Sequence, residues 1–422
     1  MLGLSLGLSG SPGLPRAAAE QLLIAPGSLT NLAFARASGG GRFTTGGALQ
    51  AVGVNVPRFS GPAQRLLVEP LRDNQLRNPR GEGAAPGVFP TYWQLAGSQN
   101  GVIRSCLGAG TMLGLSSTLI RFAGTATSTA NYTATFEVPA DSLVNARSTY
   151  SLSAFMRLSA GSLSGFSDFN LRFVCYDANN SVASIHSTSI ISLLSDAAQR
   201  FVCIGTTTSV ATYARVGLQP VVATGGVVDA TIEVCAPQFE LGGSATSPVL
   251  PPVGTLAQSS RAQDLVTGSM AALFPDRRGT LLLVATLPAA LPGPAPLLTA
   301  RRSAGAGLFS AYLAADGSGI RLATRDGSGL DDVAVPGAWS AGGELRLGVT
   351  FDEARGLLQA VAGGAATSLS PRTAAAQGEL HVGRTMLAPG GDDAPGIIEV
   401  AKLLATRRVM AGAEMNARLA AL

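Results

Sequence analysis

Few residues of this chain carry side chains that could do chemistry, and the aromatic ones favour binding over catalysis. Flat aromatic rings near strand ends or in loops can stack on the faces of sugar rings. An aromatic side chain at the edge of a β-sandwich also commonly caps the hydrophobic core, and the sequence leaves that alternative open. The predicted glycan-binding residues are Trp93, Tyr176, Tyr213 and Trp339.

Hydrolytic catalysis finds little support in the polar residues. Nucleophilic mechanisms need a base within hydrogen-bonding reach of the nucleophile, yet the two histidines, His186 and His381, lie in strand-like segments without a nearby carboxylate pattern. Glycoside hydrolysis needs two carboxyl groups roughly 5 to 10 Å apart across a cleft, and candidates such as Glu233 and Glu344 stand on separate strands. We therefore predict that the protein is not an enzyme, with a polysaccharide depolymerase as the alternative.

No cofactor is predicted, and only one kind of metal site is considered. The pairs Asp331 with Asp332 and Asp392 with Asp393 could contribute oxygen ligands to a loop Ca²⁺ site, although solvated turns are the simpler interpretation. No two cysteines have the C-x-x-C spacing of a zinc site. Most of them fall inside apolar strand-like segments, so we expect buried, reduced thiols at Cys106, Cys175, Cys203 and Cys235.

The composition argues against several classes of protein. Charged residues make up 13% of the 422 residues, about half the usual share. The formal net charge is +4, but the arginines are scattered and form no basic stripe, so no nucleic-acid partner is predicted. No stretch reaches the roughly 18 apolar residues of a membrane span, and the N-terminus lacks the basic region of a signal peptide. We expect a non-secreted protein without membrane insertion.

The elements that position these residues are predicted to be β-strands. Between residues 96 and 246 apolar and polar residues alternate with a period of two, which places one face of each strand in a core. The turn-forming sequence at 177–180 predicts a hairpin after Tyr176. Several such strands predict a jelly-roll β-sandwich. The predicted inward rows are Tyr132, Ala134, Phe136 and Val138; Tyr150, Leu152, Ala154, Met156 and Leu158; Phe169, Leu171, Phe173 and Cys175; and Val228, Ala230, Ile232 and Val234.

A second sandwich is predicted for residues 262–422, after a proline-rich linker at 247–261. Turn sequences separate candidate strands at 279–287, 308–314, 320–324 and 344–351. The final residues 409–422 carry Met415, Leu419 and Leu422 at i, i+4 and i+7, which predicts a short amphipathic helix on the sandwich. The predicted fold is therefore all-β, with two jelly-roll type sandwiches in tandem and a short C-terminal helix.

The region before residue 96 is less regular. Residues 31–95 contain turns and short strand candidates, and residues 1–30 are rich in leucine without a helical period. Because a free tail seldom keeps such leucines in water, we expect residues 1–30 to be an anchor peptide that orders on a partner. The leucines concerned are Leu2, Leu4, Leu6, Leu8 and Leu14.

Several segments resemble known families. Residues 32–38, 46–50 and 55–59, followed by 66–79 (LLVEPLRDNQLRNP), resemble the opening module of phage spike and tail-fibre proteins, whose signature reads LLIEPARTNLL. The group includes head-spike fibre domains of phages and gene transfer agents. This sequence departs from the signature at Leu71, where Ala is usual, and at Asp73, where Thr is usual.

Two further resemblances concern the sandwiches. Residues 173–182 and 236–242 look like the hairpin and closing strand of CenC-like carbohydrate-binding jelly rolls. Residues 260–264 (SRAQD) stand where related phage proteins carry TRAAD. The last domain is similar to LamG/concanavalin-like sandwiches.

Together the resemblances imply a structural protein of the virion surface, made in the bacterial host cytoplasm, which binds host surface polysaccharide for adsorption. It would be a head spike or tail fibre, would form a homo-oligomer, and would attach to other virion proteins of the capsid or tail through residues 1–95. A depolymerase and a purely architectural capsid or tail decoration protein are the alternatives.

Overall fold

A computed structural model of the chain describes residues 20–138, 142–287, 294–303, 306–314, 317–326, 328–337, 339–340, 342–372, 378–384 and 397–422. About 55% of the described residues lie in strands and about 4% in helices, which confirms the predicted all-β fold with a short C-terminal helix. The leucines predicted to attach to a particle (Leu2, Leu4, Leu6, Leu8 and Leu14) and the pair Asp392 and Asp393 lie outside the described residues.

The N-terminal region forms short strands. They are β1 (Gln21–Ala25), β2 (Ser28–Leu29), β3 (Ala33–Ala35), β4 (Gly40–Phe43), β5 (Leu49–Val52), β6 (Arg58–Ser60), β7 (Arg65–Val68) and β8 (Arg72–Asn74). Strands β4 and β5 pair with each other as a two-stranded hairpin, in which Arg42 lies opposite Gln50.

Residues 94–241 form a sandwich of two antiparallel sheets, here called the central sandwich. Its strands are β9 (Gln94–Ala96), β10 (Val102–Met112), β11 (Leu115–Thr125), β12 (Ala130–Asn131), β13 (Thr133–Thr135), β14 (Thr149–Ser162), β15 (Asp168–Tyr176), β16 (Val182–Ser189), β17 (Gln199–Thr206), β18 (Tyr213–Val222) and β19 (Val227–Leu241). One sheet has the order β10-β11-β19-β14-β17, and the other has the order β16-β15-β18-β13-β9, with β12 also paired to β18.

The core of the central sandwich is built from the alternating positions that the sequence predicts, except Val138, which follows β13 and is not part of the buried cluster. Phe169, Leu171, Phe173 and Cys175 of β15 are fully buried, and the apolar rows of the neighbouring strands join them in one cluster. The predicted hairpin turn is also present, because Asp177 Oδ1 accepts backbone N–H bonds from residues 179 and 181 at 2.9 Å each. Local alternation therefore specified which face of each strand is inside.

The C-terminal sandwich follows the linker. Its elements are β20 (Ser259–Arg261), β21 (Leu265–Ser269), α1 (Met270–Leu273), β22 (Arg278–Thr286), β23 (Ala295–Ser303), β24 (Ala306–Leu313), β25 (Ile320–Arg325), β26 (Leu330–Val335), β27 (Glu344–Asp352), a 3₁₀ turn (Glu353–Arg355), β28 (Leu357–Val361), β29 (Thr367–Leu369), β30 (Glu379–Val382), β31 (Ile398–Thr406) and α2 (Gly412–Ala420). Strands β22, β24, β25 and β27 match the predicted segments to within two residues.

Strands from the N-terminal region complete both sheets of the C-terminal sandwich. One sheet runs β2-β1-β31-β22-β27-β28-β29, with β7 also paired to β31 and β6 paired to β7. The other runs β26-β25-β24-β23-β30-β21-β3. Leu66 and Val68 of β7 are buried in the same core as Ile398 and Val400 of β31. Residues 21–68 therefore share a hydrophobic core with residues 262–422.

Helix α2 lies against the outer side of the larger sheet. Met415 and Leu419 are buried in a small cluster with Leu282 and Leu404, and Leu422 packs against it. This confirms the amphipathic helix predicted for residues 409–422, because the i, i+4, i+7 spacing places these side chains on one side of a helix.

Five charged side chains are buried where the N-terminal strands meet the linker. Arg36, Arg58, Glu69, Arg261 and Asp264, here called the joint cluster, are each at most 4% exposed. Glu69 Oε2 lies 2.6 Å from Arg58 Nη1 and 3.0 Å from Arg261 Nη1. Asp264 Oδ1 lies 3.0 Å from Arg36 Nη1, and Asp264 also binds Arg58. Such pairs are stable only when hydrogen bonds and charges offset the loss of hydration.

Further hydrogen bonds bring the linker into the joint cluster. Glu69 accepts bonds of 2.6 Å from both the backbone N–H and the Oγ of Ser247. Burial alone would raise the pKa of Glu69, but Arg261, Arg58 and the Ser247 bonds outweigh burial and lower that pKa to about 2. The linker at 247–261 is thus held against β7 by a carboxylate that stays ionised.

Candidate functional site

Two of the four predicted aromatic residues come together at one end of the central sandwich. Tyr176 ends β15, Tyr213 begins β18, and the two residues are direct cross-strand partners. Their rings are stacked, with centroids 5.2 Å apart and planes 10° from parallel. The Tyr213 hydroxyl donates a 2.9 Å hydrogen bond to Asn180 Oδ1 in the hairpin turn, which fixes the orientation of the ring. Both tyrosines remain partly exposed.

An arginine completes this aromatic corner. Arg215 Cζ lies 5.3 Å from the centre of the Tyr176 ring, within the range of a cation–π contact. Its buried Nε has no hydrogen-bond partner among the described residues. Beside it, Val182 and Ile185 of the edge strand β16 are more than half exposed. The corner therefore offers ring surface, apolar surface and a guanidinium at one place.

A row of polar side chains continues from the corner along the same face of the sheet. Asp168, Asn170 and Arg172 alternate with the buried Phe169 and Leu171, so all three point outward with Tyr176. Asn170 Nδ2 donates to Asp168 Oδ2 at 2.7 Å. Burial would raise the pKa of Asp168, but bonds from Ser189 and Asn170 lower it.

Neighbouring strands extend the row. Ser187 Oγ of β16 donates to Asn170 Oδ1 at 3.0 Å. On the other side, Arg172 binds Gln219 of β18, and Gln219 Nε2 donates to Thr133 Oγ1 at 3.3 Å. Asn170 and Gln219 are at most 9% exposed, so they orient the more exposed hydroxyls and Arg172. This surface extends from Thr133 across β18 and β15 to β16 and includes Tyr176, Tyr213 and Arg215. We call it the tyrosine face.

The two tryptophans lie elsewhere. Trp93 is 5% exposed, its ring centre is 4.9 Å from that of Phe136, and its Nε1 donates to the carbonyl of Asn78 at 3.1 Å. It therefore caps the core of the central sandwich, and its ring offers almost no surface to a ligand. Trp339 packs against the core of the C-terminal sandwich and does not belong to the tyrosine face. Burial, which the local sequence does not reveal, separates Trp93 from the tyrosines, and its place in the other sandwich separates Trp339.

The acidic residues considered for catalysis are engaged in ion pairs. Glu233 is 2% exposed and lies 2.6 Å from Arg157, with a further bond from Ser117. Glu344 lies 2.8 Å from Arg346.

The two histidines lie in strands β16 and β30. The His186 ring lies 4.7 Å from that of Phe173, and burial lowers the pKa of His186. His381 is 3% exposed, with Nε2 3.2 Å from Glu379.

The acidic pair considered for Ca²⁺ is also engaged. Asp331 lies 2.6 Å from Arg372, whereas Asp332 lies 2.7 Å from Arg321 and accepts a 2.9 Å bond from the Tyr312 hydroxyl. Across the described residues, no group of three His, Cys, Asp or Glu side chains is arranged to hold a metal ion. Within the same ranges, no helix is long and apolar enough to cross a membrane.

Part of the tyrosine face could be predicted from the sequence. The alternation that places Phe169, Leu171 and Phe173 inside also places Asp168, Asn170 and Arg172 outside. Arg215 and Gln219 were not predicted, because their positions beside Tyr176 and Asn170 depend on the pairing of β18 with β15. The joint cluster was not predicted from the sequence, because its members lie up to 228 residues apart.

Comparisons with solved structures give similarities at low scores. They include the Ruminococcus gnavus IT-sialidase CBM40 bound to α2,3-sialyllactose (TM-score 0.28, 16% identity, 34% of this chain and 82% of that chain). The tandem CBM22-1–CBM22-2 domain of Paenibacillus barcinonensis Xyn10C gives a TM-score of 0.25 at 11% identity, covering 77% of this chain and 98% of that chain. The Trypanosoma rangeli sialidase in complex with the inhibitor DANA gives 0.28 at 10% identity, covering 77% and 71%.

These structural neighbours are carbohydrate-binding modules and sialidases. At these TM-scores the similarities carry no argument about the function of this chain. No protein-family model matches the chain, and no curated protein matches it significantly.

Proposed function

We propose that the protein binds a polysaccharide through the tyrosine face of the central sandwich. The observation that carries the proposal is the stacked pair of Tyr176 and Tyr213 beside Arg215, at the end of a hydrogen-bonded polar row. Aromatic rings contact the C–H face of a sugar, while hydroxyl, amide and guanidinium groups bind its hydroxyls. A row along a sheet suits an extended chain of sugars better than a single one.

The proposed biological role is adsorption of a phage-like particle to its host. The resemblance of residues 66–79 to the spike and fibre module supports a head spike or tail fibre on the virion surface, attached to capsid or tail proteins through the N-terminal region. The partly exposed tyrosine face offers shallow contacts, so a single copy would bind weakly. Several copies in a homo-oligomer would multiply the affinity without new contacts.

The proposed activity is binding without cleavage. The two carboxylates considered for hydrolysis, Glu233 and Glu344, are each held in an ion pair with an arginine. Hydrolysis of a glycoside requires one carboxyl group that is protonated at the working pH.

The test uses the full chain on host cells with and without their surface polysaccharide, together with an assay for released sugar. Tyr213→Ala removes half of the stack, and we expect it to weaken binding about tenfold. Tyr213→Phe keeps the ring and should keep most of the affinity. Arg215→Gln should also weaken binding, whereas Arg121→Gln, on the opposite sheet and 44% exposed, should not.

Each outcome decides between named alternatives. The proposal is supported if binding is lost when the host cells lack the polysaccharide, if Tyr213→Ala also weakens binding, and if no sugar is released. Released oligosaccharide would make the protein a depolymerase. Wild-type protein that fails to bind cells would indicate an architectural role, and binding that survives both substitutions would place the site on another surface.

A further inference from the structure

A cavity lies beside the joint cluster, away from the tyrosine face. Its volume is about 560 Å³, within the range of small-molecule sites in proteins. Its walls are the hairpin of β4 and β5, the turn between β10 and β11, and the proline-rich residues 248–252 of the linker. Segments from the N-terminal region, the central sandwich and the linker thus meet around one space.

The walls are largely backbone and apolar side chains. Residues 39–41 are glycines, and a Cβ on Gly40 would come within 3.2 Å of Arg36 Cζ and of Arg58 Cδ. Glycine therefore allows the hairpin to approach the joint cluster closely. Leu49, Val249 and Leu250 contribute apolar surface to the cavity.

Two arginines provide the charge of this cavity. Arg261 is 1% exposed and lines the cavity, and its Nε has no hydrogen-bond partner among the described residues. Arg80 also lines the cavity; its Nε donates to the carbonyl of Pro251 at 2.7 Å. Its terminal nitrogens have no acceptor in the part of the chain that the structure describes. No carboxylate is among the described residues that line the cavity.

The charges behind the wall include both signs. The joint cluster contains three arginines and two carboxylates, and the buried Glu240 is linked to Arg261 Nη1 through the Thr246 hydroxyl. The charge that acts most strongly on Arg80 is Glu82, whose Oε1 accepts a 2.8 Å hydrogen bond from the backbone N–H of Gly254. The donor left for a ligand on Arg261 is therefore its buried Nε, which gains from a partner because an unbonded buried N–H is costly.

We propose that this cavity binds a small carboxylate-bearing sugar, with its carboxylate held between Arg80 and Arg261. A planar guanidinium pairs well with a carboxylate, and the apolar walls and backbone groups suit the body of a sugar ring. The cavity is separate from the tyrosine face, so this proposal can be tested independently of the proposed function.

The test is a calorimetric titration of the full chain at low ionic strength with D-glucuronate, D-glucose and inorganic phosphate. We expect glucuronate to bind with a Kd of about 1 mM or tighter, and glucose to bind at least about tenfold more weakly. Phosphate distinguishes a general oxyanion site from a carboxylated-sugar site. Equal binding of glucuronate and glucose, stronger binding of phosphate, or no binding by glucuronate would each overturn the proposal.

Variants locate the binding in the cavity. Arg80→Gln should weaken glucuronate binding about tenfold, and Ala51→Phe should block it by filling space, because Ala51 lines the cavity on the exposed hairpin. Arg147→Gln, an exposed arginine that does not line the cavity, is the charge control, and Tyr213→Ala controls for the tyrosine face. Unchanged affinity in both cavity variants, with thermal unfolding showing that they are folded, would place the site elsewhere.

Discussion

The two sandwiches differ in how their cores are assembled. The core of the central sandwich is rich in aromatic rings, including Phe122, Phe136, Phe169 and Phe173, and its strands come from one continuous stretch. The core of the C-terminal sandwich is mainly aliphatic and is completed by strands from residues 21–68. The central sandwich can therefore close through its own strands, whereas the C-terminal sandwich requires distant parts of the chain to meet.

The largest expected effect comes from separating these parts. A fragment of residues 76–258 keeps every strand of the central sandwich and should unfold cooperatively on its own. A fragment of residues 262–422 lacks β1, β3 and β7 and should not fold, because both sheets would expose edges and core. Circular dichroism and urea unfolding of both fragments check this. A stably folded 262–422 fragment would show that the N-terminal strands are accessory.

The next effect concerns the joint cluster that ties the regions together. Glu69→Gln leaves Arg58 and Arg261 without their shared carboxylate, and breaking such a buried pair costs about 3–5 kcal/mol. Glu344→Gln removes a pair exposed to water and should cost at most about 1 kcal/mol. Denaturant unfolding of the full chain compares the two. Equal losses would mean that the buried cluster contributes no more than a surface pair.

Acid should act on the same carboxylate. The pKa of Glu69 is about 2 in the folded chain against an ordinary value of 4.5, so ionised Glu69 stabilises the fold above pH 4.5. This contribution, roughly 3 kcal/mol, is lost as the pH falls from 4.5 towards 2. Unfolding free energy measured across this range should fall with decreasing pH in the wild type and more weakly in Glu69→Gln. Parallel pH profiles would rule out Glu69 as the acid-sensitive group.

Each sandwich contains one tryptophan, and substituting the two should give a smaller difference in stability. Trp93→Phe removes the hydrogen bond to the carbonyl of Asn78 and should destabilise the central sandwich by about 1–3 kcal/mol. Trp339 Nε1 is buried without a partner among the described residues, so Trp339→Phe should cost less. Chemical unfolding followed by circular dichroism, compared with the wild type, measures each loss. A larger loss for Trp339→Phe would reverse this ranking.

The four cysteines allow opening of the central sandwich to be measured without any substitution. All four are buried, unpaired and in the central sandwich. Burial and the charge of Glu233 raise the pKa of Cys235 to about 12, and burial raises the pKa of the other three thiols. A thiol reagent at pH 8 should therefore react only when the central sandwich opens. Rapid labelling of the native protein would show that this region opens locally.

The sequence by itself determined the local features of this protein. Period-two alternation identified the inward rows of the central sandwich, turn residues located the hairpin after Tyr176, and helical spacing located α2. These features depend on contacts between residues close in sequence, which a single chain pattern records. The outward positions Asp168, Asn170 and Arg172 follow from the same alternation.

Only the tertiary structure decided how distant segments combine. It paired β1 and β7 with β31, buried Glu69 between Arg58 and Arg261, and placed Trp93 in the core while stacking Tyr176 on Tyr213. The register between strands far apart in sequence depends on the packing of whole faces and on the neutralisation of buried charge. Neither the packing of faces nor the neutralisation of buried charge can be deduced from one segment. The candidate sites could therefore be identified only in the folded structure.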